Sequence, residues 1–421
     1  MKRVVITGLG AITPLGNDVD TFWNNAIQGK SGAASITHFD ATNFKTKFAC
    51  EVKGFDPLRY FTKPEARKMD MFTQYAIAAS EECLSDAQLN WEQIDRHRFG
   101  TIIATGIGGL ETLEEEILNF ATDTTQPRFN PFFITKMISN MAAGQISIRY
   151  GLKGISYAVA SACAASNNAI GSAFDAIRLG RADLILAGGT EATICQSAIA
   201  GFNAMKALST ANEDPSQASR PFDADRTGFV AGEGAGIILL EELEHAKKRG
   251  AKIYCELVGY GSASDAYHVA ATHPEGEGAI AAMQQALTDA GLQTQEVDYI
   301  NAHATSTPVG DISECKAIEH LFQDQLTHLN VSATKSMTGH LLGAAGAIES
   351  ILCIKSITEG VIPPTINLNT VDPAISESLN LTPSKAQYKN VKVAMNNTFG
   401  FGGHTSSVIF KKLEDHLTPN N

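Results

Sequence analysis

Residues Ala76–Leu89 read AIAASEECLSDAQL, and Ala279–Leu292 read AIAAMQQALTDAGL. About half of the aligned positions are identical, and both stretches carry apolar residues at helical spacing, so the pair raises an internal duplication. In each case the helix pattern leads into an apolar strand, TIIATG the first time and YINAHATS the second. The next unit also matches. A strand, a small-residue turn and a helix occur around Cys163 and again from Lys335 to Ile357.

Working outward from that echo, ten apolar runs alternate with helix patterns, which is the signature of an α/β chain. Five fall in the first part, at 3–8, 101–106, 156–160, 184–189 and 236–241. Five more follow at 255–260, 299–303, 330–335, 391–396 and 407–411. Two similar halves, 1–250 and 251–421, are therefore expected, divided after the charged segment Glu241–Arg249.

Composition bounds the function class. In 421 residues, 44% are hydrophobic and 19% charged, and no run approaches the roughly 18 apolar residues of a membrane span. The opening MKRVVITGLG enters a strand pattern directly, without the three-part layout of a signal peptide, so a cytoplasmic protein is expected. A net charge of −12 argues against nonspecific nucleic-acid binding, which needs basic residues against phosphates. The seven cysteines are widely spaced, with no CxxC pair, and suggest neither a disulfide framework nor a zinc ribbon.

Cys163 lies in Ile155–Ser166, ISYAVASACAAS, at the turn where a strand hands over to a helix. A helix N-terminus stabilises a thiolate, so the position fits a nucleophile, while burial statistics fit an inert packing cysteine equally well. The second half adds His303 at the end of a strand, and Lys335 and His340 in TKSMTGHLLGAAGAIES. Their coincidence at corresponding places of a duplicated chain favours chemistry over packing. Glu349 sits within an apolar helix pattern and, if buried, needs a partner. Lys335, Asn396, Asn397 and a monovalent ion are the candidates. The glycines of Asn397–His404, NTFGFGGH, suit a backbone that presents N–H groups to a ligand, or an ordinary turn. The stretch Thr7–Gly16 follows a strand, but Thr13 stands where a dinucleotide loop needs its third glycine, which disfavours a nucleotide site there.

Together VVITGLGAITPLG, RPFDADRTGFVAGEGAG, NAHATSTPVGD, TKSMTGHLLGAAGAIE and NTFGFGG resemble the β-ketoacyl-acyl carrier protein synthases of the elongating type, over nearly the whole chain. The resemblance implies a thiolase-like α/β fold of five layers, α-β-α-β-α, with two pseudo-symmetric halves, in a homodimer. It implies Cys163 as acyl-accepting nucleophile, His303 and His340 in malonyl decarboxylation and condensation, and Lys335 as organiser of the polar network. Phe401 would gate the site and, with Cys163, supply oxyanion N–H groups. Thr305 and Thr307 match contacts to a phosphopantetheine arm, and Ile107, Phe133, Ala198 and Phe202 match the acyl pocket. Lys63, Arg67, Lys68, Arg128, Lys136 and Lys206 match a basic edge for an acidic acyl carrier protein. Asn301, Glu349, Asn396 and Asn397 match the surroundings of a monovalent cation, sodium or potassium, and no redox cofactor is implied. Ser161, Ala304 and His404-Thr405 depart from the common pattern without removing a reacting group. A polyketide ketosynthase and a non-catalytic chain-length partner are the rival expectations. The second is disfavoured because such partners lack the cysteine.

Overall fold

The computed structural model describes residues 1–125 and 128–414. Its ten principal strands are β1 (Val4–Ile12), β2 (Phe99–Ala104), β3 (Ser156–Val159), β4 (Leu184–Glu191), β5 (Gly234–Glu242), β6 (Cys255–Ser264), β7 (Tyr299–Asn301), β8 (Asn330–Ser332), β9 (Val393–Gly400) and β10 (His404–Lys411). The helices that position the site are α1 (Met71–Asp86), α2 (Met141–Tyr150), α3 (Ala165–Arg178), α4 (Glu277–Ala290), α5 (Pro308–Phe322) and α6 (Ala345–Glu359).

From the outside inward the first five strands are ordered β3-β2-β4-β5-β1 and the next five β8-β7-β9-β10-β6, the same order twice. Strand polarity repeats as well. β2 is parallel to both neighbours and β5 antiparallel to both of its own, and β7 and β10 do the same in the second half. The two sets join where β1 meets β6 antiparallel, Val4 opposite Leu257 and Ile6 opposite Cys255.

The sequence echo has a packing cause. Helix α1 lies so close on β1 that a Cβ at Gly8 would stand 2.5 Å from the Cys83 carbonyl oxygen, and one at Gly10 only 1.9 Å from that of Ala79. Helix α4 lies on β6 in the same way, with Gly259 2.3 Å from the Ala286 oxygen and Gly261 2.0 Å from that of Ala282. Each alternate glycine pair therefore admits one helix backbone against one strand. The Thr7–Gly16 stretch is accounted for too: β1 continues through Gly8 and Gly10 to Ile12, leaving no phosphate loop there.

Helices α3 and α6 touch strands of both sets and form the middle layer. Thirteen residues of α6, Ala345 to Ile357, are buried, which suits a helix covered on every side. A central apolar cluster surrounds α3 and α6, a second lies between the first sheet and α1 with α2, and a third between the second sheet and α4 with α5. The result is the five-layer α-β-α-β-α arrangement, with its polar turns gathered where the middle helices begin. Among the described residues no helix is long and apolar enough to cross a membrane.

Candidate active site

Cys163 stands at a strained elbow. After β3 the chain turns through Ala162, whose φ is +48°, and α3 begins at Ala165. The left-handed conformation is costly for a residue with a Cβ, and its presence at a turn marks a position fixed by its surroundings. The second half repeats it, with Leu342 at φ +46° and α6 starting at Ala345. Gly343 is thus the counterpart of Cys163, and only one elbow carries a thiol.

The two halves meet at that thiol. His340 Nε2 lies 3.0 Å from Cys163 Sγ. The His303 ring stands edge-on to that of His340, centroids 5.3 Å apart, and Phe229 contacts His340 in the same manner at 5.4 Å. Backbone bonds hold His340 in place: its N–H donates to Val230 at 2.7 Å and its carbonyl accepts from Gly232 at 2.9 Å. His303 is held by Glu314 of α5, which accepts the backbone N–H groups of His303 at 2.9 Å and Ala304 at 2.7 Å, and the Asn397 amide at 3.3 Å. Gly400 closes the other side, since a Cβ there would stand 2.9 Å from the Cys163 nitrogen.

Burial and the helix N-terminus act on Cys163 in opposite senses. Burial pushes the Cys163 thiol up to about 12, with Glu191 adding to the rise, against the pull of Lys335 and the backbone N–H groups of Phe401 and Cys163 itself. A helix terminus is worth about 2 kcal/mol at most, roughly one and a half pKa units, too little to reverse that. The resting group is a thiol. Burial first, then the Lys335 charge, hold both His303 and His340 well below the usual histidine range, and His340 further lowers His303, so both rings are neutral at pH 7. Among the described residues, the Nδ1 atoms of both have no partner and are buried.

Glu349 is buried, and its partner is Lys335, Nζ to Oε1 2.5 Å. Of the candidate partners, Lys335 therefore takes one carboxylate oxygen. Among the described residues, Glu349 Oε2 and Asn396 Oδ1 have no partner and are buried. Asn301 exchanges hydrogen bonds with Thr334, and Asn397 turns to Glu314 and Ser407. Oxygen donors of this kind suit a hard cation.

A cavity of about 510 Å³ opens above the thiol and is lined by Cys163, His303, His340, Phe401, Thr305, Thr307, Ile107, Phe202 and Lys206, among others. The Thr305 and Thr307 hydroxyls are 3.2 Å apart on its wall. Lys335 is buried and is not part of its lining. Phe133 and Ala198, matched to the acyl pocket by resemblance, are absent from the wall: Phe133 stacks on Phe129 at 5.3 Å in a surface segment, and Ala198 is buried within the helix Gln196–Ala204. Of the basic residues, Lys206 is at the cavity, Lys63, Arg67, Lys68 and Arg128 are exposed on the surface, and Arg67 and Lys136 line a separate groove with Asp70. Sequence reasoning passed over Glu314 and Glu191, carboxylates that hold the site's loops. Their signal was faint, a single acidic residue within a helix pattern or closing an apolar strand.

A duplicated sheet pair with a thiol at one elbow and histidines supplied by the other half defines the thiolase-like condensing enzymes. The chain belongs to the β-ketoacyl synthase family: the family's N-terminal domain matches residues 1–246 and its C-terminal domain residues 254–369. It is 50% identical to 3-oxoacyl-acyl-carrier-protein synthase 2 of Staphylococcus aureus (strain COL), over 98% of this chain and 99% of that one. Among solved structures it superposes on a β-ketoacyl synthase from Burkholderia phymatum with a TM-score of 0.91 and 35% identity, covering 98% of this chain and 100% of the other. It also superposes, with a TM-score of 0.90, 35% identity and the same coverage, on a ketosynthase in complex with its type II polyketide synthase acyl carrier protein.

Proposed function

We propose that the protein is an elongating 3-oxoacyl-acyl carrier protein synthase of fatty acid synthesis, which condenses malonyl-carrier protein with an acyl group held on Cys163. The observation that carries the reading is the contact of His340 Nε2 with Cys163 Sγ, at 3.0 Å, inside a cavity that His303 also lines. In the first step the Cys163 sulfur attacks the acyl thioester carbonyl and the carrier thiol leaves with the proton of the cysteine. Covalent capture divides a difficult carbon–carbon bond formation into two steps. In the second, malonyl thioester loses carbon dioxide, and its enolate carbon attacks the acyl-cysteine carbonyl. The Cys163 sulfur departs, takes up one proton, and 3-oxoacyl-carrier protein is released.

The neutral histidines suit the second step. A ring protonated at Nε2 donates a hydrogen bond to the thioester oxygen as enolate charge builds, without bringing a full charge into a buried site. Lys335, neutralised by Glu349, fixes the field around both rings. The N–H groups of Cys163 and Phe401 flank the sulfur and serve as oxyanion donors for acyl transfer. Thr305 and Thr307 suit the carrier's pantetheine arm, and Phe401 the gate. Ile107 and Phe202 suit the acyl pocket. A sodium or potassium ion would draw on Glu349 Oε2 and Asn396 Oδ1, with Asn301 and Asn397 beside them. It would add positive charge near Lys335 and take no part in bond making, and the reaction as written needs no redox cofactor.

The basic residues Lys63, Arg67, Lys68, Arg128, Lys136 and Lys206 fit an acidic carrier protein steered to the cavity. A homodimer belongs to the same reading. The edge strand β3 is half exposed, and Phe129, Phe132 and Ile134 present apolar surface close to it in sequence, of the kind that marks an interface. The repeated strand order supports halves 1–250 and 251–421. The seven cysteines, all free and buried, suit a reducing cytoplasm.

The test is incubation with acyl-carrier and malonyl-carrier protein, wild type beside Cys163→Ala, followed by mass spectrometry. An acyl adduct on Cys163 and a 3-oxoacyl product two carbons longer are expected from the wild type alone. Folded wild type that neither acylates nor condenses over a range of chain lengths would sink the reading.

A further inference from the structure

Glu191 closes β4 as a fully buried carboxylate outside the set of residues so far given a chemical part. Its oxygens are occupied entirely by donors from two loops. Oε2 accepts the N–H groups of Gly106 at 2.7 Å and Gly343 at 2.9 Å. Oε1 accepts the Thr105 hydroxyl at 3.1 Å and the Ile107 N–H at 3.3 Å. Thr105 Oγ1 in turn accepts the Gly108 N–H at 3.1 Å. The loops are nearly in backbone contact, since a Cβ at Gly343 would stand 2.1 Å from the Gly106 nitrogen.

These loops come from opposite halves and carry different parts of one cavity. The first presents Ile107, whose side chain lines the cavity and is 42% exposed, so packing does little to hold it. The second presents Leu342, also on the wall, two residues after His340. Burying a carboxylate costs several kcal/mol unless its lone pairs are filled, and an apolar residue would fill the same space without that cost. What an apolar residue could not do is bind four donors at once.

We propose that Glu191 is a positioning residue that ties the Ile107 loop to the turn following His340, and thereby sets which acyl chain lengths reach Cys163. The inference rests on the acyl-transfer reading above. Loosening this tie lets Ile107 move, and the cavity wall that Ile107 and Leu342 form together loses its definition.

The experiment measures acyl transfer to Cys163 from short-chain and long-chain acyl-carrier proteins in competition, for wild type, Glu191→Gln and Thr105→Val. Gln keeps the shape but turns an amide donor towards at least one of the three N–H groups. Thr105→Val removes one donor and leaves the carboxylate. We expect the short-to-long ratio of kcat/KM to change by at least roughly fivefold in Glu191→Gln and in the same direction, by less, in Thr105→Val. A role confined to stability would lower melting temperature and all rates together, and an unchanged ratio in both variants overturns the inference. Should Glu191→Gln fail to fold, Thr105→Val decides alone. Wild type that condenses while the ratios hold removes only this proposal, whereas wild type that never acylates removes the functional reading and this proposal with it.

Discussion

Ala162 and Leu342 occupy the same place in two copies of one elbow, each three residues before a middle-layer helix and each in the left-handed region, at φ +48° and +46°. A β-branched side chain is the worst tolerated there. Ala162→Val should therefore cost about 1–3 kcal/mol, and Leu342→Val a similar amount, in urea unfolding. Ala162→Gly should stay within about 1 kcal/mol of wild type, because relief of strain is offset by a more flexible unfolded chain. Equal stability of the Val and Gly variants at position 162 would refute the elbow argument.

The Lys335–Glu349 pair is buried on both sides, so removing one member strands the other. Lys335→Met should cost about 3–5 kcal/mol, whereas Lys335→Met with Glu349→Leu should regain much of that loss, since two apolar residues leave no uncompensated charge. Denaturant midpoints of the two singles and the double complete the cycle. Additive losses would show that the pair does not interact.

Because burial pushes the Cys163 thiol up to about 12, the thiolate is a small minority in the free protein. Its fraction grows about tenfold per pH unit while the pH stays below that value. Iodoacetamide labelling of Cys163, followed by intact mass, should rise about tenfold per unit from pH 7 to 9 without levelling. A plateau near neutrality would mean that the helix terminus and the N–H groups outweigh burial after all.

Ten strand positions were legible in the sequence because buried strands concentrate β-branched residues between glycine-rich turns. The ends were not. β1 runs on to Ile12 because Gly8 and Gly10, which look like loop glycines, are the contact surface for α1. β9 extends from Val393 to Gly400 through two asparagines, which a pattern of alternating polarity does not announce as a buried strand. The site was legible where one residue type is the chemistry, as with Cys163, His303 and His340. Lys335 stood among several candidate partners for Glu349, and only the packing of α6 against the Lys335 turn selects it. The state of the thiol was not legible, since a helix N-terminus can be seen in a sequence and the desolvation that opposes it cannot. Phe133 and Ala198 are a different case: the resemblance assigns them to an acyl pocket, and in the single chain they lie off the wall of the cavity above Cys163.

The depressed histidines make a signed prediction for stability. Below about pH 6.5 the unfolded chain protonates His303 and His340, while the folded protein, holding both well below that value, does not. The unfolded state then binds more protons, so stability falls as pH drops and is restored above the unfolded pKa. Each ring accounts for about 1.4 kcal/mol of loss at pH 5.5 relative to pH 7.5, about 3 kcal/mol for the two together. Glu314 and Glu349, which burial raises to about 7, work in the opposite sense, because the folded state takes up their protons first as pH falls. Comparison with a His303→Asn/His340→Asn variant that keeps both glutamates isolates the histidine contribution. Urea unfolding at the two pH values should show wild type losing about 3 kcal/mol more than the variant. Parallel losses would mean that the rings take up protons in the folded site, and the neutral hydrogen-bond donors assigned to decarboxylation would have to be replaced by imidazolium.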